Sequence, residues 1–124
     1  MENKQTKILI VEDSKSYQLI ISQKLTEEGF IVLTAGDGEE GLSVAKKENP
    51  DLVLLDIEMP KMDGIAMSKR LKEENIKIPI IFLTNLGDLS HISDAIETAS
   101  DYIVKSDITA DGIVARIRER LSLK

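Results

Sequence analysis

The chain has 124 residues, 42% apolar and 31% charged, with a net charge of −6 and a pI near 4.8. That length supports one domain with one core, and an acidic surface repels polyphosphate, which disfavours direct nucleic-acid binding. There is no cysteine, so disulfides, thiolate zinc sites and cysteine nucleophiles are excluded.

Met1 to Lys7 is polar, and the apolar run Lys7-Ile8-Leu9-Ile10-Val11 is too short for a signal peptide or a membrane span. A cytoplasmic chain with no membrane partner is therefore expected. The run reads as a buried strand and ends in Glu12-Asp13. A helix is expected over about 15–28, with Tyr17, Ile20, Ile21 and Leu25 on one face and Gly29 at its C-terminal cap. Ile31 to Ala35 reads as a second strand, and Gly36-Asp37-Gly38 as a turn. Glu39 to Lys47 reads as a short helix, acidic in its first turn and basic in its last, as the helix dipole favours.

Asn49-Pro50-Asp51 breaks that helix before a third strand, Leu52-Val53-Leu54-Leu55, which ends in Asp56. Asp63 to about Glu74 reads as a third helix with Ile65 and Leu71 inward. After Pro79, Ile80-Ile81-Phe82-Leu83 ends in Thr84. Leu89, Ile92, Ala95, Ile96 and Ala99 mark a fourth helix, on whose polar face His91 reads as surface. Tyr102-Ile103-Val104 ends in Lys105. Thr109 is the expected N-cap of a last helix carrying Ile113, Ile117 and Leu121, with Arg116, Arg118 and Arg120 on its solvated face. Five strand-then-helix repeats imply an α/β fold, a doubly wound parallel sheet with helices on both faces. No linker or internal repeat is present, so residues 1–124 are expected to form a single domain with no output domain.

In such sheets ligands bind outside the carboxyl ends of the strands. Glu12, Asp13, Asp56, Thr84 and Lys105 should therefore meet there. Clustered carboxylates repel unless they share a proton, a cation or a metal. Asp56, alone, would read as a loop acid; beside the others it reads as a nucleophile toward phosphorus, forming an acyl phosphate. Asp13 and Asp56, a carbonyl of the following loop and Glu12 through a water suit Mg²⁺, with Mn²⁺ able to substitute. Lys105 needs a carboxylate partner, and a salt bridge to Asp56 that passes to a phosphoryl oxygen after transfer would supply it. Thr84 can donate a hydrogen bond to the same group.

Glu12-Asp13-Ser14, the turn Gly36 to Leu42, the block Pro50 to Pro60 with Met62-Asp63-Gly64, then Thr84, Tyr102 and Lys105 closely resemble the receiver domain of bacterial two-component response regulators. The resemblance spans essentially the whole chain. It implies a flavodoxin-like strand order 2-1-3-4-5 and transfer to Asp56 from a sensor histidine kinase or phosphotransfer protein. It implies Mg²⁺ at Glu12, Asp13, Asp56 and the backbone carbonyl of Glu58. It also implies a switch in which Thr84 and Tyr102 move together. The signal then passes to the face of the fourth helix, fifth strand and fifth helix, toward a downstream protein, an output domain or a dimer formed on phosphorylation. Such a domain is a signalling switch that promotes only its own phosphorylation and dephosphorylation, not a turnover enzyme.

The chain departs from that family pattern at Ser106, where proline is usual, and at Ala99-Ser100, where Gly-Ala is usual. A cis bond to a non-proline residue costs about 3 kcal/mol, so a trans Lys105–Ser106 bond is expected. By the same resemblance, Glu58 and Leu86 flank the path of the hydrolytic water, and an apolar Leu86 is expected to prolong the phosphorylated state. Two other readings compete: a degenerate receiver serving as an adaptor, and a flavin protein or small phosphatase on the same fold. The intact acids and lysine weigh against the first. Four aromatic residues without tryptophan weigh against the flavin.

Overall fold

The apolar runs pair as one parallel sheet in the computed structural model, which describes residues 5–85 and 101–123. The strands are β1 (Lys7–Val11), β2 (Ile31–Ala35), β3 (Leu52–Asp56), β4 (Ile80–Thr84) and β5 (Asp101–Val104). Their order is β2-β1-β3-β4-β5, the doubly wound, flavodoxin-like order. Every residue of β3 and β4 is buried, as a parallel sheet covered on both faces requires.

Alternation along the strands divides the core in two. Ile8, Ile10, Leu52, Leu54, Ile81 and Leu83 face Ile21 and Leu25 of α1 (Lys15–Glu27) and Ile113, Val114 and Ile117 of the C-terminal helix (Ala110–Arg120). Leu9, Val11, Val53, Leu55 and Phe82 face Leu42 and Ala45 of α2 (Gly38–Glu48) and Met67 and Leu71 of α3 (Gly64–Glu73). Each fully buried aliphatic or aromatic side chain of this kind stabilises the fold by about 1.5–3 kcal/mol.

Each of these helices begins with an N-cap side chain that accepts a backbone N–H of the first turn: Ser14, Asp37, Asp63 and Thr109. Gly29, at φ 96°, ends α1 in a conformation that side-chain-bearing residues rarely adopt. Asn49 ends α2 in the left-handed region, and Asp51 then accepts the backbone N–H of Lys7 at 2.8 Å. The Lys105–Ser106 bond is trans, and Lys105–Asp107 forms a single 3₁₀ turn.

One expected inward position differs. Ile20 is 56% exposed beside Leu19 at 58%. The inward stripe of α1 runs through Tyr17, Ile21 and Leu25 at four-residue spacing, and Ile20 falls about 100° away around the helix axis. In α3, Leu71 is buried beside Met67, and Ile65, half-buried, packs against the same core, as expected. The helix expected across Leu89 to Ala99, with His91, lies outside the described residues.

Candidate functional site

Register carries the polar residues to one edge. Val11 pairs with both Ala35 and Leu55, Asp56 with Leu83, and Thr84 with Val104. The carboxyl ends of the strands are therefore level. Strand order reverses between β1 and β3, so Glu12, Asp13 and Asp56 stand at the crevice where a doubly wound sheet binds ligands.

Glu12 and Asp56 are buried, at 1% and 3% exposure, and Asp13 is exposed. Their carboxylate oxygens lie within 4.8 Å of one another. Lys105 Nζ reaches Glu12 Oε1 at 2.7 Å and Asp56 Oδ2 at 3.5 Å. Glu12 Oε2 accepts the backbone N–H of Ser14 at 3.0 Å. Gln18 Nε2 donates to the carbonyls of Glu12 and Ala35, both at 3.1 Å, and pins the β1–α1 turn against the end of β2.

The segment after Asp56 is held equally firmly. Ile57 N–H donates to the Leu83 carbonyl at 3.0 Å, and Gly64 N–H to the Ile57 carbonyl at 2.8 Å. Gly64 lies so close to the strand end that a Cβ there would overlap the Asp56 carbonyl. Close backbone approach therefore requires glycine at this position.

Burial pushes the Asp56 carboxyl up to about 8; the Glu12 charge adds to the rise and the Lys105 charge opposes it. For Lys105, burial works to lower the pKa, but the Glu12 hydrogen bond and the Asp56 and Glu12 charges leave it raised. Once both buried acids are ionised, the one ammonium leaves them a positive charge short. With exposed Asp13 beside them, the donor set is hard oxygen, which suits a small divalent cation such as Mg²⁺.

These groups line an open cleft of about 550 Å³, and Glu58 lines it too. So do four residues that sequence reasoning did not place there: Ser14, Tyr17, Asn85 and Ser106. Ser14, Asn85 and Ser106 each directly follow or adjoin a recognised residue, and that adjacency was the available signal. Tyr17 gave none, because its spacing with Ile21 and Leu25 reads as core. Its ring in fact lies 4.8 Å from the Lys105 ammonium. Burial raises the Tyr17 phenol above its usual value, with the Lys105 charge opposing.

Thr84 is fully buried and does not line the cleft; its hydroxyl donates to the Asn85 carbonyl at 3.1 Å. Tyr102 is 38% exposed, and its carbonyl accepts Arg116 Nη2 at 3.2 Å. Thr84 ends β4 directly before the cleft-lining Asn85, and Tyr102 lies on the neighbouring β5. Leu86 lies outside the described residues. A second cavity, about 430 Å³, opens between the end of α3 and the start of β4, lined by Leu71, Ile76 and Ile78 with Lys72 and Lys77. No carboxylate lines it, so it offers none of the chemistry of the acid cleft. No helix of the described residues is long and apolar enough to cross a membrane.

Residues 8–118 match the family model described as the response regulator receiver domain. The chain is 43% identical over 122 residues to "Probable transcriptional regulator ycf27" of Pyropia yezoensis, covering 98% of this chain and 49% of that protein. It is 44% identical over 78 residues to the "Alkaline phosphatase synthesis transcriptional regulatory protein PhoP" of Bacillus subtilis, covering 63% of this chain and 32% of that one. The chain thus spans about half the length of the first of these relatives or less. Among solved structures, a CheY-like response regulator receiver domain protein from Methanospirillum hungatei superposes with a TM-score of 0.89 at 27% identity. That match covers 96% of this chain and 95% of the other. The receiver domain of Francisella response regulator 1452 gives 0.83 at 30% identity, covering 92% and 94%.

Proposed function

Because the chain belongs to the response regulator receiver domain family, we propose that it is the phosphoacceptor switch of a two-component phosphorelay, with Asp56 as the acceptor. One observation carries this reading: a single lysine is shared between two buried acids, at 2.7 Å from Glu12 and 3.5 Å from Asp56. An Asp56 oxygen attacks the phosphorus of a donor phosphohistidine. The P–N bond breaks, and its electron pair stays on the imidazole of a sensor kinase or phosphotransfer protein. Lys105 then moves from Asp56 to a phosphoryl oxygen while keeping Glu12, a short movement because it is already positioned between them.

Asp13, Asp56 and the Glu58 carbonyl, with Glu12 through a water, are the groups that would hold Mg²⁺. When bound, the ion supplies the positive charge that the acids and the incoming phosphoryl group lack. The Thr84 hydroxyl exchanges the Asn85 carbonyl for a phosphoryl oxygen, and Tyr102 turns inward from its exposed position. The phosphoryl group adds about 1.5 to 2 negative charges, enough to bias such a two-state packing. The changed face of β5 and the C-terminal helix then meets an output domain, a downstream protein or a second copy in the cytosol.

The test is labelling with phosphoramidate, whose P–N bond mimics the phosphohistidine donor. Label that depends on Mg²⁺ and disappears in Asp56→Asn supports the reading. Label retained in that variant refutes it.

A further inference from the structure

Lys105 has a third neighbour that the phosphotransfer reading does not use. Its ammonium lies 4.8 Å from the centre of the Tyr17 ring, beside its contacts, among the described residues, with Glu12 Oε1 and Asp56 Oδ2. Tyr17 enters from α1, three residues after the N-cap Ser14, and its backbone N–H donates to the Ser14 hydroxyl at 3.4 Å. The ring also packs against the core formed by Ile21, Leu25 and the sheet. It is therefore anchored from below and lines the cleft above. Its hydroxyl is buried and has no hydrogen-bond partner among the described residues. No polar contact of the hydroxyl explains the placement; the ring face and the cation do.

We propose that Tyr17 is a positioning residue for Lys105. Its aromatic face holds the ammonium between Glu12 and Asp56, where it can meet an arriving phosphoryl oxygen. A lysine carries a long flexible stem, and two carboxylates alone do not fix its direction. A ring on a third side attracts the cation electrostatically and removes water from it, so the ammonium stays where its charge is needed. The alternative occupant of that volume, an aliphatic side chain, would fill the core equally well and exert no such pull. This inference rests on the proposed role of Asp56, and its two measurements separate the two ideas.

The first measurement is NMR of the full chain with ¹³C-labelled lysine, without any phosphodonor. Ring current from Tyr17 shifts the Lys105 ε-methylene protons upfield of those of the other lysines. Tyr17→Phe keeps the shift and Tyr17→Leu abolishes it. The second is the rate of labelling by a small acyl phosphate with Mg²⁺. Tyr17→Phe labels at close to the wild-type rate, and Tyr17→Leu labels about fivefold more slowly. In a Lys105→Met background, Tyr17→Leu has no further effect, because its action passes through the lysine. A purely structural tyrosine would give losses that multiply.

Unshifted Lys105 protons in the wild type overturn the proposal. So does wild-type labelling by Tyr17→Leu, or a Tyr17→Phe variant as slow as Tyr17→Leu. If the wild type takes no label at all, the phosphoacceptor reading fails, and the NMR result alone decides whether Tyr17 holds Lys105.

Discussion

Lys105 lies closer to Glu12, at 2.7 Å, than to Asp56, at 3.5 Å. The buried acid that tethers the lysine is thus a different residue from the acid proposed to react. Asp56 is left with a weaker hold on the shared cation, which favours its release to an incoming group.

This arrangement predicts a pH dependence. Burial raises Asp56 from its ordinary 3.8 to about 8 when no divalent cation is present. Between those values the folded chain keeps a proton that the unfolded chain has lost. The folded state binds more protons, so the Asp56 contribution to stability falls as pH rises from about 4 to about 8. Melting temperatures in a chelator, for wild type and Asp56→Asn, check this. The variant should gain on the wild type across that window, and Mg²⁺ should close the gap at the upper end. A gap that stays constant with pH contradicts it.

Loss of Lys105 should cost more than loss of Glu12. Lys105→Met leaves two buried acids without a cation, whereas Glu12→Gln leaves the lysine paired with Asp56. Removing one partner of a buried ion pair costs about 3–5 kcal/mol. Lys105→Met is expected near the low end of that range, since Asp56 can take up a proton, and Glu12→Gln below it. Urea unfolding at pH 8 in a chelator gives both values, and a Glu12→Gln loss equal to or larger than that of Lys105→Met would contradict this ranking.

Gly64→Ala should damage the site through the backbone. The new Cβ meets the Asp56 carbonyl, so the end of β3 or the start of α3 must shift. Overpacking of this kind costs about 1–3 kcal/mol. The variant should also label more slowly, whereas the exposed neighbour Ala66→Ser should change neither quantity.

Tyr17→Phe should stabilise the fold. A buried hydroxyl without a partner costs about 1–3 kcal/mol, and phenylalanine removes it while keeping the ring. A higher urea midpoint with unchanged slope is expected. A lower midpoint would mean that the hydroxyl has a structural partner.

The strands were legible because the apolar runs stand between polar or glycine positions, four of the five ending abruptly in Glu12, Asp56, Thr84 or Lys105, and parallel topology leaves little choice about which edge of the sheet those ends share. Helix faces were read less well. One stripe of α1 carries Tyr17, Ile21 and Leu25, while Ile20, equally apolar and next to Ile21 in sequence, points to solvent. The pairing of Lys105 with Glu12 rather than with Asp56 alone depends on side-chain reach, which residue order does not encode. Tyr17 was hidden for a related reason: one position can serve the core with its ring edge and the cleft with its ring face. The Gln18 bridge between β1 and β2 similarly joins two carbonyls that only the folded register brings together.

The most direct test of the account is the mass of the intact protein after a small acyl phosphate donor and Mg²⁺. Wild type should gain one phosphoryl group, lost on treatment with hydroxylamine as an acyl phosphate is, and Asp56→Asn should gain none. A phosphoryl group on Asp56→Asn, or none on the wild type, would contradict the assignment of Asp56 as the acceptor.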